Sequence, residues 1–432
     1  MSRRIPLVFS LLYGLLFTIS SGLSSQEALE ITSESDFLKL KDLRGNLGPS
    51  VPKRREKLFS IFSVVRFSND MCGSGTYNGT CLTAAECFAA GGSSNNTCAA
   101  GFGVCCVFLY RTCGGSTNRN CTYFQSPDYP SSSVSSSLQC SFTVNKCSAD
   151  ICQVRLDFLA FGLAQPETQS ATNYPLATQC TTDSFTVTGA SNNVPAICGL
   201  NTGQHVYLDM TAGQNSFSLN FAIGSGTGPP GQTVVTANQR YWNVKISQIP
   251  CDSPSLAPPG CLQYFSSASG TIRTFNYDLT TPTNSRHLAN QDYPICIRME
   301  QGFCGICYST CDDSQFAFGL SNGYSTTWTT NTNAAIPYFC LNDYVQIAGA
   351  FLPAVGTFPA EFSDRICGGA FGIRTGTNAV TSPMTVCTET KPFQVRVVTD
   401  SNEVVSSGTI PLESGVYGFC LNYAQQACVT SG

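Results

Sequence analysis

Histidine is almost missing from this chain, with two in 432 residues, and the shortage removes whole classes of chemistry. A Ser-His-Asp hydrolase needs a histidine general base oriented by a buried aspartate. Only His205 and His287 are available, and no Gly-Asp-Ser-Gly segment accompanies either. A His-Glu-x-x-His zinc protease is excluded for the same want of imidazoles. His205, at the start of a strand-like stretch, and His287, in a loop, read as structural or surface residues, and no enzymatic activity is expected.

Charge is scarce too. Charged residues make up 12% of the chain, and 23 basic against 27 acidic side chains leave a net charge of -4. No basic patch exists to concentrate nucleic acid or an anionic membrane, so neither is an expected partner. Long apolar runs are lacking as well. Only Ile5 to Ile19 comes near, interrupted by Ser10 and Gly14, and it falls short of the ~20 residues of a spanning helix. Preceded by Arg3 and Arg4 and followed by Ser20, Ser21 and Gly22, it reads as a secretory signal peptide over 1-22. The stretch from Leu421 to Gly432 is too polar for a lipid-anchor signal. The expectation is a secreted, extracellular protein with no membrane span.

Cysteine is what the chain has in excess: 24 residues, a load that points to an oxidising compartment and to disulfides. They fall into three groups with even counts, six from Cys72 to Cys106, eight from Cys113 to Cys251 and ten from Cys261 to Cys428. Modules that close their own bridges give this pattern. Cys304-Gly305-Ile306-Cys307 with Cys311 has the spacing of a metal or redox site, yet no Cys/His quartet completes it, and the disulfide reading is preferred. Cys147 and Cys152 are near enough in sequence to bridge each other.

The groups suggest boundaries. Residues 23-66 form a polar propeptide or linker in which Lys53-Arg54-Arg55 is either a processing site or ordinary solvated charge. A cysteine-rich knot at 67-108 is too short for an adequate apolar core and depends on its bridges. Two larger domains follow at 109-252 and 261-430, joined at 253-260 by a stretch containing Pro254, Pro258 and Pro259.

Within both larger domains the apolar period is two. Val154, Leu156 and Phe158 alternate with polar neighbours, as do Phe217, Leu219, Phe221 and Ile223, then Trp242, Val244 and Ile246, then Phe393, Val395 and Val397. Half-buried strands give this pattern, and Gly, Pro, Asn and Ser clusters punctuate them. The predicted fold class is all-β, with two tandem disulfide-bonded β-sandwiches behind a small N-terminal knot.

The order Cys113-Gly114-Gly115, Ser126-Pro127-Asp128-Tyr129-Pro130, Cys140, Cys180-Thr181-Thr182-Asp183 and Cys198-Gly199 resembles the CUB domain. Cys261, Cys296, Cys340-Leu341-Asn342-Asp343 and Cys367-Gly368-Gly369 repeat the scheme, closing on Gly418 to Tyr423. The resemblance implies bridges Cys113 to Cys140, Cys180 to Cys198, Cys261 to Cys296 and Cys340 to Cys367. The remaining pairings stay open. Ile151 to Phe158 and Gly203 to Tyr207 give the arrangement the look of a group of arthropod secreted CUB proteins. The knot, with Cys72, Cys81, Cys87, Cys98 and the adjacent Cys105-Cys106, resembles the clip domain.

Many CUB domains hold calcium with an aspartate after the third cysteine, a second after a late strand and an upstream glutamate, hard oxygen ligands that suit the ion. The resemblance places Asp343 and Asp400 in these roles in the second domain, where Phe316 to Asn322 supplies no glutamate. In the first domain it places Asp183 alone, with Glu167 beyond the expected strand end. Equally, these aspartates cap turns. N-x-S/T sequons at Asn78, Asn95 and Asn120 mark candidate glycosylation sites around the knot. The resemblance implies binding of an extracellular protein or glycan through loops, with 224-232 and 281-290 as candidate contact segments. Regulation of a proteolytic cascade without catalysis, and a structural matrix or cuticle role, are the alternatives.

Overall fold

The computed structural model describes residues 66-428 apart from 74-76, 132-136, 168-177, 212, 225-239, 283-284, 313-315, 321-339, 353-360, 374-383 and 402-416. The signal segment, the basic run at 53-55 and most of the 224-232 insert lie outside the described residues. Val65–Gly432 forms one compact unit.

The six-cysteine segment holds β1 (Met71–Gly73), β2 (Asn78–Leu82), the helix α1 (Ala84–Ala89), β3 (Ser93–Cys98) and β4 (Gly103–Tyr110). A capping box starts α1: the Thr83 backbone and side chain meet Glu86, whose own N–H donates to Thr83 Oγ1. Bridges Cys72–Cys105, Cys81–Cys98 and Cys87–Cys106 tie first to fifth, second to fourth and third to sixth. The segment's packed apolar cluster is small, formed by Leu82, Cys87, Cys106 and Phe108, so covalent links carry much of the order.

Next come β5 (Gly115–Thr117), β6 (Thr122–Gln125), β7 (Leu138–Asn145), β8 (Ile151–Gly162), β9 (Asp183–Thr188), β10 (His205–Asp209), β11 (Ser216–Ile223) and β12 (Tyr241–Pro250). One sheet orders β5-β7-β11-β9. The other runs β1-β2-β4-β6-β12-β8-β10, because β4 pairs in parallel with β6. The cysteine-rich segment therefore extends the sandwich instead of hanging from it. Asn78 N–H donates to the Tyr123 hydroxyl and Gln125 Nε2 to the Tyr77 hydroxyl, which fixes the seam.

The alternation read from the sequence holds in this sandwich: in β11 Phe217, Leu219, Phe221 and Ile223 are buried and the residues between them are half-exposed. The core is aromatic. Phe124 stacks on Phe142 at 4.5 Å, Phe221 stacks on Trp242 at 4.1 Å, and Phe158, Phe161 and Phe185 close around them.

The second sandwich comprises β13 (Gln263–Phe265), β14 (Ser269–Arg273), β15 (Asp292–Ile297), β16 (Phe303–Thr310), β17 (Phe318–Gly319), β18 (Tyr344–Gln346), β19 (Phe351–Leu352), β20 (Glu361–Phe362), β21 (Arg365–Ile366), β22 (Val386–Thr388), β23 (Gln394–Val398) and β24 (Gly418–Ala427). Its sheets order β13-β15-β23-β18-β21 and β14-β24-β16-β22-β19-β20. Ile272, Ile295, Ile306, Val345, Val395 and Val397 fill the space between them. The fold is all-β and rich in disulfides, as the period-two pattern requires.

Eleven disulfides lie among the described residues. The larger domains hold Cys113–Cys140, Cys152–Cys251, Cys180–Cys198, Cys261–Cys296, Cys304–Cys428, Cys307–Cys387, Cys311–Cys420 and Cys340–Cys367. The expected link between Cys147 and Cys152 is overturned. Cys152 lies at the start of β8 and Cys251 directly follows β12, neighbouring antiparallel strands whose pairing brings the two sulfurs together. Cys147 and Cys121 are left unbonded.

Candidate functional site

Asp183 opens β9 with its carboxylate buried among four donors. Arg240 Nε and Nη2 reach Oδ2 and Oδ1 at 2.8 and 2.9 Å, and the N–H groups of Ala164 and Gly224 add bonds of 2.8 and 3.0 Å. Such a bidentate, fully hydrogen-bonded pair is the arrangement that makes a buried charge tolerable. Asp183, expected as a calcium ligand, has both carboxylate oxygens bonded to the Arg240 guanidinium. The sequence carried the signal in Arg240, a lone arginine ahead of the apolar β12, but not the partner. Glu167 is buried nearby, its carboxylate accepting from the Thr181 hydroxyl.

In the second sandwich Asp343 and Asp400 do come together. Asp343 is buried, and its Oδ1 accepts the Asp400 backbone N–H at 2.8 Å. Beside them lies His287, completely buried; burial lowers its pKa while the Asp343 and Asp400 charges oppose that shift. One Asp343 oxygen is thus committed to a backbone donor, and among the described residues no group of three His, Cys, Asp or Glu side chains is placed to share a metal ion.

His205 has a different duty. Burial, with the Arg155 charge second, drives its pKa down to about 3. The imidazole is neutral at physiological pH, and its Nε2 accepts the Tyr264 N–H at 3.1 Å across the junction between the sandwiches.

Other bonds make that junction continuous. Tyr207 N–H donates to the Leu262 carbonyl, Gln204 Nε2 to the Thr274 carbonyl, and Gln263 Nε2 to Gln204 Oε1. Asn276 N–H donates to Asn201 Oδ1 while Leu200 N–H donates to Asn276 Oδ1. Gly199 permits this approach, since a Cβ there would sit 1.9 Å from Asn276 Oδ1 and its φ of +75° is one that glycine favours. The proline-containing connection is fastened as well: Gln153 donates to the Ala257 carbonyl and accepts its N–H. Buried polar groups bonded across a junction favour one relative orientation.

Where the connection enters the second sandwich, a cleft of about 500 Å³ opens beside Cys261–Cys296. Pro258, Tyr264, Met299, Pro392 and Phe393 give it an apolar floor, with Arg298 and Lys391 beside them. Met299 is 46% exposed. The sequence pattern gave no hint of this cleft, because its walls come from three separate segments. The sequons are placed unequally: Asn95 is exposed on β3, Asn78 is half-buried on β2, and Asn120 spends its carboxamide on both backbone groups of Gln248. Asn120 does not present a free amide.

Comparison with known proteins gives three findings. Residues 258–426 match the family model of the animal CUB domain. No curated protein sequence matches the chain. Among solved structures, the CUB1-EGF-CUB2 domain of human MASP-1/3 is 14% identical over 70% of this chain and 98% of that one, with a TM-score of 0.21. The full extracellular region of zebrafish Gpr126/Adgrg6 is 9% identical over 74% of this chain, which spans 38% of that region, with a TM-score of 0.24. At such TM-scores the two likenesses decide nothing. Residues 258–426 of this chain form a CUB domain.

Proposed function

We propose that this chain is a secreted, non-catalytic recognition protein that binds an extracellular protein partner across the junction of two CUB-like sandwiches. The observation that carries the reading is the fixed junction together with the cleft beside it: a CUB domain bonded to a second disulfide-linked sandwich, with an apolar cleft where the connection enters the second sandwich. Binding surfaces gain affinity when they are ordered before the partner arrives. Apolar walls with arginine at the edge suit a protein better than a glycan. Secretion agrees with the density of bridges. A non-catalytic role is supported by the burial of both histidines and by the structural bond that His205 accepts from the Tyr264 N–H.

A second reading has its own support. Phe88 is 86% exposed on α1, and Phe102 and Met71 are 63% and 67% exposed on the same clip-like segment. Apolar groups presented this way suit a docking element for a protease of an extracellular cascade.

The test uses secreted full-length chain as bait in extracellular fluid, with Arg298→Glu/Met299→Asp and Phe88→Asp/Phe102→Asp variants alongside. On the first reading a saturable partner is lost about tenfold or more by the cleft variant, a change of about 1.4 kcal/mol, with an unaltered melt. Loss only in the Phe88 variant transfers the function to the cysteine-rich segment, and no saturable partner for any form refutes both.

A further inference from the structure

Twenty-two of the 24 cysteines are bonded, and the two that are not sit around one buried residue. Asn120 Oδ1 accepts the Gln248 N–H at 2.7 Å and its Nδ2 donates to the Gln248 carbonyl at 3.0 Å, so the residue before Cys121 is clamped to β12. The Gln248 side chain reaches the other way. Its Oε1 accepts the Cys147 N–H at 2.8 Å and its Nε2 donates to the Asn145 carbonyl at 3.0 Å. Cys121 is itself held in the left-handed region at φ 52°, with its N–H on Asn120 Oδ1. The backbone on either side is thus fixed through the same glutamine.

We infer that Cys121 and Cys147 are an oxidisable pair that closes a twelfth bridge, joining the entry of β6 to the exit of β7 and so linking the two sheets of the first sandwich. Cys147 is exposed and Cys121 buried, which sets the order of events. Cys147 thiolate attacks a disulfide oxidant of the secretory compartment, forming a mixed disulfide and releasing one thiol. Cys121 thiolate then attacks the Cys147 sulfur, the Cys121–Cys147 bond forms, and the second oxidant thiol leaves. Two S–H bonds are lost, and their two electrons and two protons end on the oxidant's two thiols. Burial raises the Cys121 thiol pKa, the Lys245 charge opposes that, and the Cys147 charge adds to it, which marks the two sulfurs as electrostatic neighbours.

The test is thiol mapping of natively secreted full-length protein, alkylated under denaturing, non-reducing conditions and digested. The result expected is no alkylated cysteine and one peptide pair linking Cys121 to Cys147 within a monomer. Two alkylated residues, a Cys147 bridge to a second copy, or a small-thiol adduct on Cys147 would each overturn the inference. As a second measurement, Cys147→Ser should leave one thiol that alkylates only after denaturation and should lower the melting temperature by roughly 5 °C. Cys121→Ser/Cys147→Ser should match it in melting, because one bridge is lost in both. Unequal shifts, or none, count against the bridge.

Discussion

The two sandwiches reach order by different means. The first is built around stacked rings and one internal ion pair, Arg240 with Asp183, with Cys113–Cys140, Cys152–Cys251 and Cys180–Cys198 around it. The second has aliphatic walls and five bridges, three of which staple β16 or its end to β22 and β24. Its corresponding aspartate, Asp343, takes the Asp400 backbone N–H and lies beside buried His287. The lesson is that Asp183 and Asp343 pose one chemical problem, a buried carboxylate needing donors, and that each half supplies donors from residues distant in its own sequence.

Breaking the ion pair should separate the two halves most sharply. Asp183→Ala leaves Arg240 charged, buried and unpaired, and is expected to cost about 3–5 kcal/mol in chemical denaturation. Asp183→Leu/Arg240→Met, which removes both charges, should recover most of that loss.

Acid comes next. His205 has a folded pKa of about 3, below its usual value, so between about 6.5 and 3 the unfolded chain binds the proton and the folded chain does not. Stability is therefore complete above about pH 6.5 and falls as pH drops through that window, by on the order of 2 kcal/mol at pH 5. Denaturation at pH 7.5 and pH 5 reads this, and His205→Gln should flatten the difference. A slope unchanged in that variant would assign acid sensitivity to other groups.

Gly199→Ala sharpens the comparison at the junction. Its Cβ would collide with Asn276 Oδ1, and a cost of about 1–2 kcal/mol is expected, together with a broader distribution of domain orientations in small-angle scattering. The smallest effect belongs to calcium. Millimolar calcium should shift the melt by less than the error of measurement in both the wild type and Asp343→Ala; a shift abolished by that substitution would restore a site at Asp343.

Much of the fold was legible along the chain. The alternation of Phe217, Leu219, Phe221 and Ile223 against Ser216, Ser218 and Asn220 specified a strand and its buried face, because side-chain direction in a strand repeats every two residues. The proposed ligand set was less legible. Asp183, Asp343 and Asp400 are all placed at strand ends near donors, yet whether such a carboxylate meets a metal, an arginine or a backbone N–H depends on residues tens of positions away.

The sequence alone determined the all-β class and the grouping of cysteines, since composition and a two-residue period are local properties. Tertiary structure decided that Cys152 joins Cys251 and not Cys147, that β4 lengthens the first sandwich, and that Arg240 seals Asp183. The physical reason is register: a bridge or an ion pair forms only where two distant strands align, and strand alignment is fixed by the packing of the whole sheet.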